Sequence, residues 1–318
     1  MTARPERPAT SLNRRALVQG TMTIAAGIAL GATPFRDATA QPILGTGRPA
    51  GYTNGSSLVS VDTLRAMQIV DNDLVLVNVL LPDATDLAYI PGSIALVIPE
   101  LGVVDTSDAS IEGWHQAIQA RLGELGITPE STVVAYDNDT LFSARLWWVL
   151  HYLGHENVHV LDGGISAWQA AGQDVVMEAM EPAAADPYPG TSNGDLLAQK
   201  DEVLAVIEAG DSVMLDARVL EEYAEGHIPG AVNLNFPLNA TTESPKMYKP
   251  AEELLAMYEE IGVTPDRHIV PYCATGVRSA VTAFALHLIG FENVALYTGS
   301  WAEWGEDPDA PVTTGEEP

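Results

Sequence analysis

Cys273 is the single cysteine in 318 residues, and it stands in Pro271-Tyr272-Cys273-Ala274-Thr275-Gly276-Val277-Arg278-Ser279. A thiol in a short loop that opens a helix is placed for nucleophilic chemistry. The loop aims backbone N–H groups at its centre, and the helix start adds partial positive charge. That setting favours the thiolate, which is the attacking form. The competing reading is a buried structural cysteine. Gly276 and the basic Arg278 suit an anion cradle better than a packed core. The Arg278 guanidinium fork matches sulfonate-like oxygens, and a structural pairing with a nearby carboxylate is the alternative. Thr275 offers a hydroxyl to the thiolate or to a leaving group.

The elements around this loop are readable. His268-Ile269-Val270 is a short apolar run of the buried-strand type, and an apolar helical pattern runs from Ala280 to Ile289 with Gly290 at its end. The same organisation occurs twice in the chain. Leu125-Gly126-Ile127-Thr128-Pro129 returns as Ile261-Gly262-Val263-Thr264-Pro265, Glu156-Asn157-Val158 as Glu292-Asn293-Val294, and Asp162–Trp168 as Thr298–Trp304, all 136 residues apart. Tyr89-Ile90-Pro91-Gly92-Ser93 returns as His227-Ile228-Pro229-Gly230-Ala231 at a spacing of 138. The first copy carries strand candidates at Leu74–Leu80, Ser93–Val97, Thr132–Tyr136 and Val158–Leu161, with a helical pattern over Ala144–Leu153. The second carries Val213–Leu215, Ala231–Leu234, His268–Tyr272 and Val294–Tyr297. Short apolar runs alternating with helices predict an α/β fold, two domains each with a mostly parallel sheet flanked by helices. The spacing of 136 places Asp137 opposite Cys273, Thr140 opposite Gly276 and Phe142 opposite Arg278. The first copy is therefore expected to lack the cradle and to serve as a scaffold.

Composition narrows the function classes. Against 15 basic residues stand 43 acidic ones, a formal charge of -28. That argues against nucleic acid and against an anionic membrane surface as partners. An anionic substrate must be drawn in by local positive groups. One cysteine permits no intramolecular disulfide, and no clustered Cys/His set calls for a metal or other cofactor.

Leu215-Asp216-Ala217-Arg218 with Glu222-Tyr223, then Gly226-His227-Ile228-Pro229-Gly230-Ala231, then the Cys273 loop, then Gly299-Ser300-Trp301-Ala302-Glu303-Trp304 follow one another in the second copy. In this order the motifs resemble the tandem-domain rhodaneses, the thiosulfate and 3-mercaptopyruvate sulfurtransferases. The resemblance implies two tandem rhodanese-like domains, the first inactive and the second catalytic, with a persulfide on Cys273 as intermediate. It implies a loop, Ala274 to Arg278, that stabilises the persulfide. It also implies a substrate-binding position at Arg218, for which an Asp–Arg brace is the alternative. Small-molecule sulfur donors and acceptors are the expected partners. The family's mercaptopyruvate branch tends to carry a hydroxyl two residues after the cysteine, as Thr275 does. The thiosulfate branch tends to carry basic loop residues, and Arg278, a permanent charge suited to a compact dianion, favours thiosulfate.

Two other classes compete. The related phosphatase loop is one residue longer than the four residues between Cys273 and Arg278, which favours attack on sulfur over phosphate. A non-catalytic binding module fits the first copy better than the second. His227 reads as a turn brace, Trp301 and Trp304 as packing, and Glu303 as structural. At the N-terminus, Ser11-Leu12-Asn13-Arg14-Arg15-Ala16-Leu17, a weakly apolar stretch and Ala38-Thr39-Ala40 resemble a twin-arginine export signal with a cleavage site. The expected layout is a signal peptide over 1–40, a linker over 41–57, the inactive domain over 58–178, a linker over 179–195 and the catalytic domain over 196–312. The acidic tail after Gly305 reads as flexible.

Overall fold

The computed structural model describes residues 51–85 and 87–318. The expected export signal and the first part of the first linker, 41–50, lie outside the described residues. In the first half, β1 (Leu58–Val59), α1 (Val61–Val70), β2 (Leu74–Leu80), β3 (Ser93–Val97), α2 (Asp108–Glu124), β4 (Thr132–Tyr136), α3 (Ser143–Tyr152), β5 (Val158–Leu161) and α4 (Gly164–Ala170) follow in turn. In the second half, β6 (Leu197–Ala198), α5 (Lys200–Ala209), β7 (Ser212–Asp216), α6 (Leu220–Glu225), β8 (Val232–Asn233), α7 (Ala251–Glu260), β9 (His268–Tyr272), α8 (Val277–Leu288), β10 (Leu296–Tyr297) and α9 (Ser300–Trp304) repeat the pattern.

The first sheet has the order β1-β5-β4-β2-β3, every pair parallel. The second half forms β8-β7-β9 and β10-β6, also parallel, and the Ile269–Val294 bridge joins the two pieces. The order is the same in both halves, and the second is interrupted. Apolar runs buried on both faces produce parallel strands of this kind, and β4 is buried along its whole length. Two strand candidates in the second half prove longer than the strands, Ala231–Leu234 contracting to β8 and Val294–Tyr297 to β10 plus a bridge, while Val213–Leu215 extends by one residue at each end into β7 and His268–Tyr272 matches β9. The loop glycine rather than the apolar pattern decides where α8 begins, three residues ahead of the Ala280 expected from periodicity.

The sheets' outer faces are filled by separate clusters, around Leu64, Ile90 and Trp168 in the first half and Val203, Tyr223 and Trp304 in the second. Between the halves lies one shared core that includes Trp147 of α3 and Phe284 of α8. Their rings meet edge-on at 4.7 Å, a geometry worth about 0.5–1.5 kcal/mol beyond area burial. The two helices that start at the Asp137 and Cys273 loops are thus packed against each other.

Three connecting segments are more ordered than their composition predicts. The chain from Tyr52 docks on the second half, with Asn54 Nδ2 donating to His287 O at 2.8 Å. The connector over 179–195 is strapped to the first half by Tyr188 N to Gln119 O and Asn193 N to Tyr152 O, at 2.8 and 2.7 Å. The acidic tail is held as well: Thr313 and His227 exchange backbone hydrogen bonds at 3.0 and 2.9 Å, and Trp304 Nε1 donates to Pro311 O. Buried polar groups need partners, and this tail supplies them where charge alone predicted freedom.

Candidate active site

Cys273 follows β9 directly and is 1 % exposed. Tyr272 anchors the strand end: its hydroxyl accepts from Ile228 N at 3.1 Å. Tyr136 does the same for Ile90 N at 3.0 Å. The repeated Ile-Pro-Gly turns are therefore seats for a buried tyrosine that precedes each loop. On the other side, Trp301 N donates to Cys273 O and Ala302 N to Ala274 O. Cys273 N donates to Ser300 Oγ at 3.1 Å, and the Ser279 hydroxyl donates to Sγ at 3.6 Å. Ser300 holds φ 55°, in the left-handed region, and its side chain stitches the loop to α9 by also donating to Tyr297 O. Gly276 has φ 79°, and a Cβ there would stand 2.8 Å from Thr298 O. Only glycine fits that turn without displacing backbone. α8 starts at the next residue, so the unpaired first-turn amides and the positive end of its dipole lie at the thiol.

Arg278 makes a bidentate pair with Glu222, Nη1 to Oε2 at 2.6 Å and Nη2 to Oε1 at 2.8 Å. Hydrogen bonding to Glu222 raises the guanidinium's proton affinity against the opposing effect of burial, and the nearby Cys273 sulfur raises it further. The carboxylate pairing given as the alternative for Arg278 is present, and the guanidinium also lies near enough to the Cys273 sulfur to feel its charge. Thr275 is exposed at the rim, and no hydrogen bond ties its hydroxyl among the described residues.

Arg218 takes up the Asp–Arg brace given as its alternative. Its guanidinium is 2 % exposed and donates to both Asp216 oxygens and to Gly226 O. Its guanidinium carbon lies over the Trp301 ring, 4.5 Å from the ring centroid. It is a brace beneath the loop, because its donors are spent on a carboxylate two residues away. His227 is a brace too, stacked on Tyr223 with ring centroids 3.7 Å apart. Glu303 accepts from Thr106 and Tyr297 and so clamps the two halves.

The first loop differs from expectation. It lacks glycine, yet Asp139 and Leu141 adopt φ 57° and 66°. Asp137 turns its carboxylate into the loop, where Oδ1 accepts from Thr140 N and Leu141 N at 2.8 and 3.0 Å and Oδ2 from Ser143 N at 2.8 Å. The donors of the cradle are present and occupied by the chain's own anion. Sequence comparison of the loops registers the missing glycine and misses this, because non-glycine left-handed residues leave no signature. Ser300, Glu222 and Arg145 also escape a sequence reading as site residues. Arg145 had one signal, a guanidinium in the first turn of an apolar helical pattern. A cleft of about 980 Å³ lined by Glu112, His115, Glu202 and His268 does not include Cys273.

The sequence profile of the rhodanese-like domain matches residues 60–171 and 199–307. The chain is 34% identical over 204 residues to a thiosulfate sulfurtransferase of Pseudomonas aeruginosa, covering 61% of this chain and 74% of that protein. It is 30% identical over 313 residues to the mitochondrial thiosulfate/3-mercaptopyruvate sulfurtransferase 1 of Arabidopsis thaliana, 84% and 82% of the two chains. The crystal structure of YnjE shares the fold at a TM-score of 0.71 and 23% identity, over 82% of this chain and 69% of that one. Two matched domains, a parallel sheet in each, and a lone thiol at the end of β9 agree, and the chain belongs to the rhodanese family.

Proposed function

We infer that this protein is a sulfurtransferase that moves sulfane sulfur from thiosulfate to a thiophilic acceptor through a persulfide on Cys273. In the first step the Cys273 thiolate attacks the outer sulfur of thiosulfate. The new S–S bond forms as the donor's S–S bond breaks, and the electron pair leaves with sulfite. In the second, cyanide or a thiol attacks the outer persulfide sulfur. Thiocyanate or a new persulfide departs, and the thiolate returns. Proton transfer to a leaving group is not needed, since sulfite leaves as an anion.

The observation that carries the reading is the first loop. There, a carboxylate one atom longer than a thiol receives three backbone N–H groups. The matching loop in the second half carries a thiol, and a persulfide extends it by one atom into the corresponding space. Preorganised donors of that kind stabilise an anion without reorganisation. The loop from Ala274 to Arg278 supplies the donors, and Thr275 and Arg278 form the rim by which a donor reaches a thiol that is 1 % exposed. Arg278 supports thiosulfate over 3-mercaptopyruvate, and exposed Thr275 supports the second donor as the alternative.

The test is thiocyanate formation from thiosulfate and cyanide, beside the same assay with 3-mercaptopyruvate and hydrolysis of a chromogenic phosphate ester. Cys273→Ser is expected to abolish sulfur transfer and keep the fold. Retained transfer in that variant removes the mechanism, and ester hydrolysis by the wild type favours the phosphatase reading.

We also propose export through the twin-arginine route, with the mature chain starting near Gln41. The support is Arg14-Arg15, the apolar stretch and Ala38-Thr39-Ala40. Replacing both arginines by lysine should retain the protein in the cytoplasm on cell fractionation. Unchanged export rules out the route, and an intact N-terminus rules out cleavage.

A further inference from the structure

Arg145 belongs to α3 in the half without a thiol, and it is 0 % exposed. Nη2 donates to Leu101 O at 2.9 Å, and Nη1 reaches the carbonyl of Gly276, in the Cys273 loop, at 3.4 Å. The guanidinium carbon lies 4.8 Å from the Trp148 ring centroid, and Nε has no partner. Among the described residues no carboxylate forms an ion pair with it, whereas Arg218 pairs with Asp216 and Arg278 with Glu222. A guanidinium taken out of water without a counter-charge is costly. Burial lowers its proton affinity to about 10, and the Cys273 sulfur acts in the opposite direction. Of the three arginines around the loop, Arg145 is the one whose charge is unmatched.

We propose that Arg145 is a positioning residue for sulfur transfer, supplied by the inactive half: it holds the Gly276 carbonyl and carries a buried charge that is matched when the Cys273 sulfur is an anion, as thiolate or persulfide. The other groups facing the sulfur do not duplicate it. From α8 come the first-turn amides, the Ser279 hydroxyl and Arg278, the last already neutralised by Glu222 of α6. From α9, the Ser300 hydroxyl is spent on the Cys273 amide and Tyr297 O, and Glu303 on Thr106 and Tyr297. Beneath Tyr272 the Asp216–Arg218 pair closes on itself. The half that lost its thiol is then more than a cover, because it brings the one unpaired positive charge to the loop. This proposal rests on the persulfide reading for its purpose, but its test needs no sulfur donor.

The experiment is alkylation of Cys273, the single thiol, by iodoacetamide in the full chain from pH 6 to 10. Arg145→Met is expected to slow alkylation at neutral pH about tenfold or more and to move the rise of rate with pH upward by roughly one to three units, the size of effect of one close opposite charge. Arg145→Lys is expected to restore most of the wild-type profile. An unchanged pH profile in Arg145→Met, or a lysine variant that follows methionine, overturns the proposal. A packing role alone would alter melting and leave the profile in place. Should Arg145→Met be poorly folded, its melting temperature at pH 8 is compared in the wild-type and Cys273→Ser backgrounds. The loss is expected to be smaller where the counter-charge is gone, and equal losses overturn the proposal.

Discussion

Removing Arg278 should do more than delete one cation, because it also uncovers Glu222. In the folded chain the pair is bidentate at 2.6 and 2.8 Å, with side chains 20% and 37% exposed. The pair is partly solvated, so its loss should cost little stability, under about 1 kcal/mol. Its effect on an anionic donor should be larger. A charge-assisted contact to the donor is worth about 1.5–3 kcal/mol, so Arg278→Ala should lower kcat/KM for thiosulfate by roughly ten- to hundredfold. The exposed carboxylate then adds repulsion. At about 6 Å and an effective dielectric between about 20 and 80, that is roughly 0.7–3 kcal/mol per unit of donor charge. Glu222→Gln in the Arg278→Ala background should therefore recover about fivefold or more. Glu222→Gln alone should leave kcat/KM for thiosulfate equal or higher, since it frees the guanidinium. Arg278→Lys should recover part, because an ammonium cannot make the planar bidentate contact. The assay is steady-state sulfite release from thiosulfate across the four-protein cycle, repeated as pyruvate release from 3-mercaptopyruvate, whose lower charge should halve the logarithmic effect. An unchanged Arg278→Ala, or a double variant no better than the single, would falsify the electrostatic argument. A wild type that strongly prefers 3-mercaptopyruvate would shift the donor assignment to the Thr275 reading.

Asp137→Ala should destabilise the chain by about 3 kcal/mol, read from the urea midpoint, because it strips a carboxylate from three backbone amides and leaves them buried. A loss under about 1 kcal/mol would mean that water replaces the carboxylate at little cost. Burial pushes the Asp162 carboxyl up to about 7, against the hydrogen bond it accepts from Tyr248 N. The folded chain thus keeps this proton longer than the unfolded one. Its penalty is absent below about pH 4, grows between about 4 and 7, and stays constant above. Asp162→Asn should gain stability over the wild type across that window, up to about 4 kcal/mol. A constant offset at every pH would contradict the assignment.

The duplicated Ile-Pro-Gly, Gly-Ile/Val-Thr-Pro and Glu-Asn-Val segments were enough to establish two α/β halves, and the lone thiol marked the second as the candidate for thiol chemistry. They report on local conformation and apolar periodicity, which sequence carries directly. Gly276 was legible as a loop glycine for the same reason: a left-handed turn against Thr298 leaves few other choices. The strand ends in the second half were less legible, because apolar runs continue past the last paired residue. What tertiary structure decided was the partner of each charge. Arg218 has its carboxylate two residues away in sequence, whereas Arg278 finds its own, Glu222, 56 residues away. Burial against Trp301 makes the first a brace, and the thiol beside the second leaves it at the site's rim. Arg145 is 128 residues from Cys273, and nothing local connects them. They meet because α3 and α8 each bury an apolar face in one shared core, which draws the first half's guanidinium to the second half's loop. Electrostatic energy depends on distance and dielectric, and both are set by packing across the interface rather than by spacing along the chain.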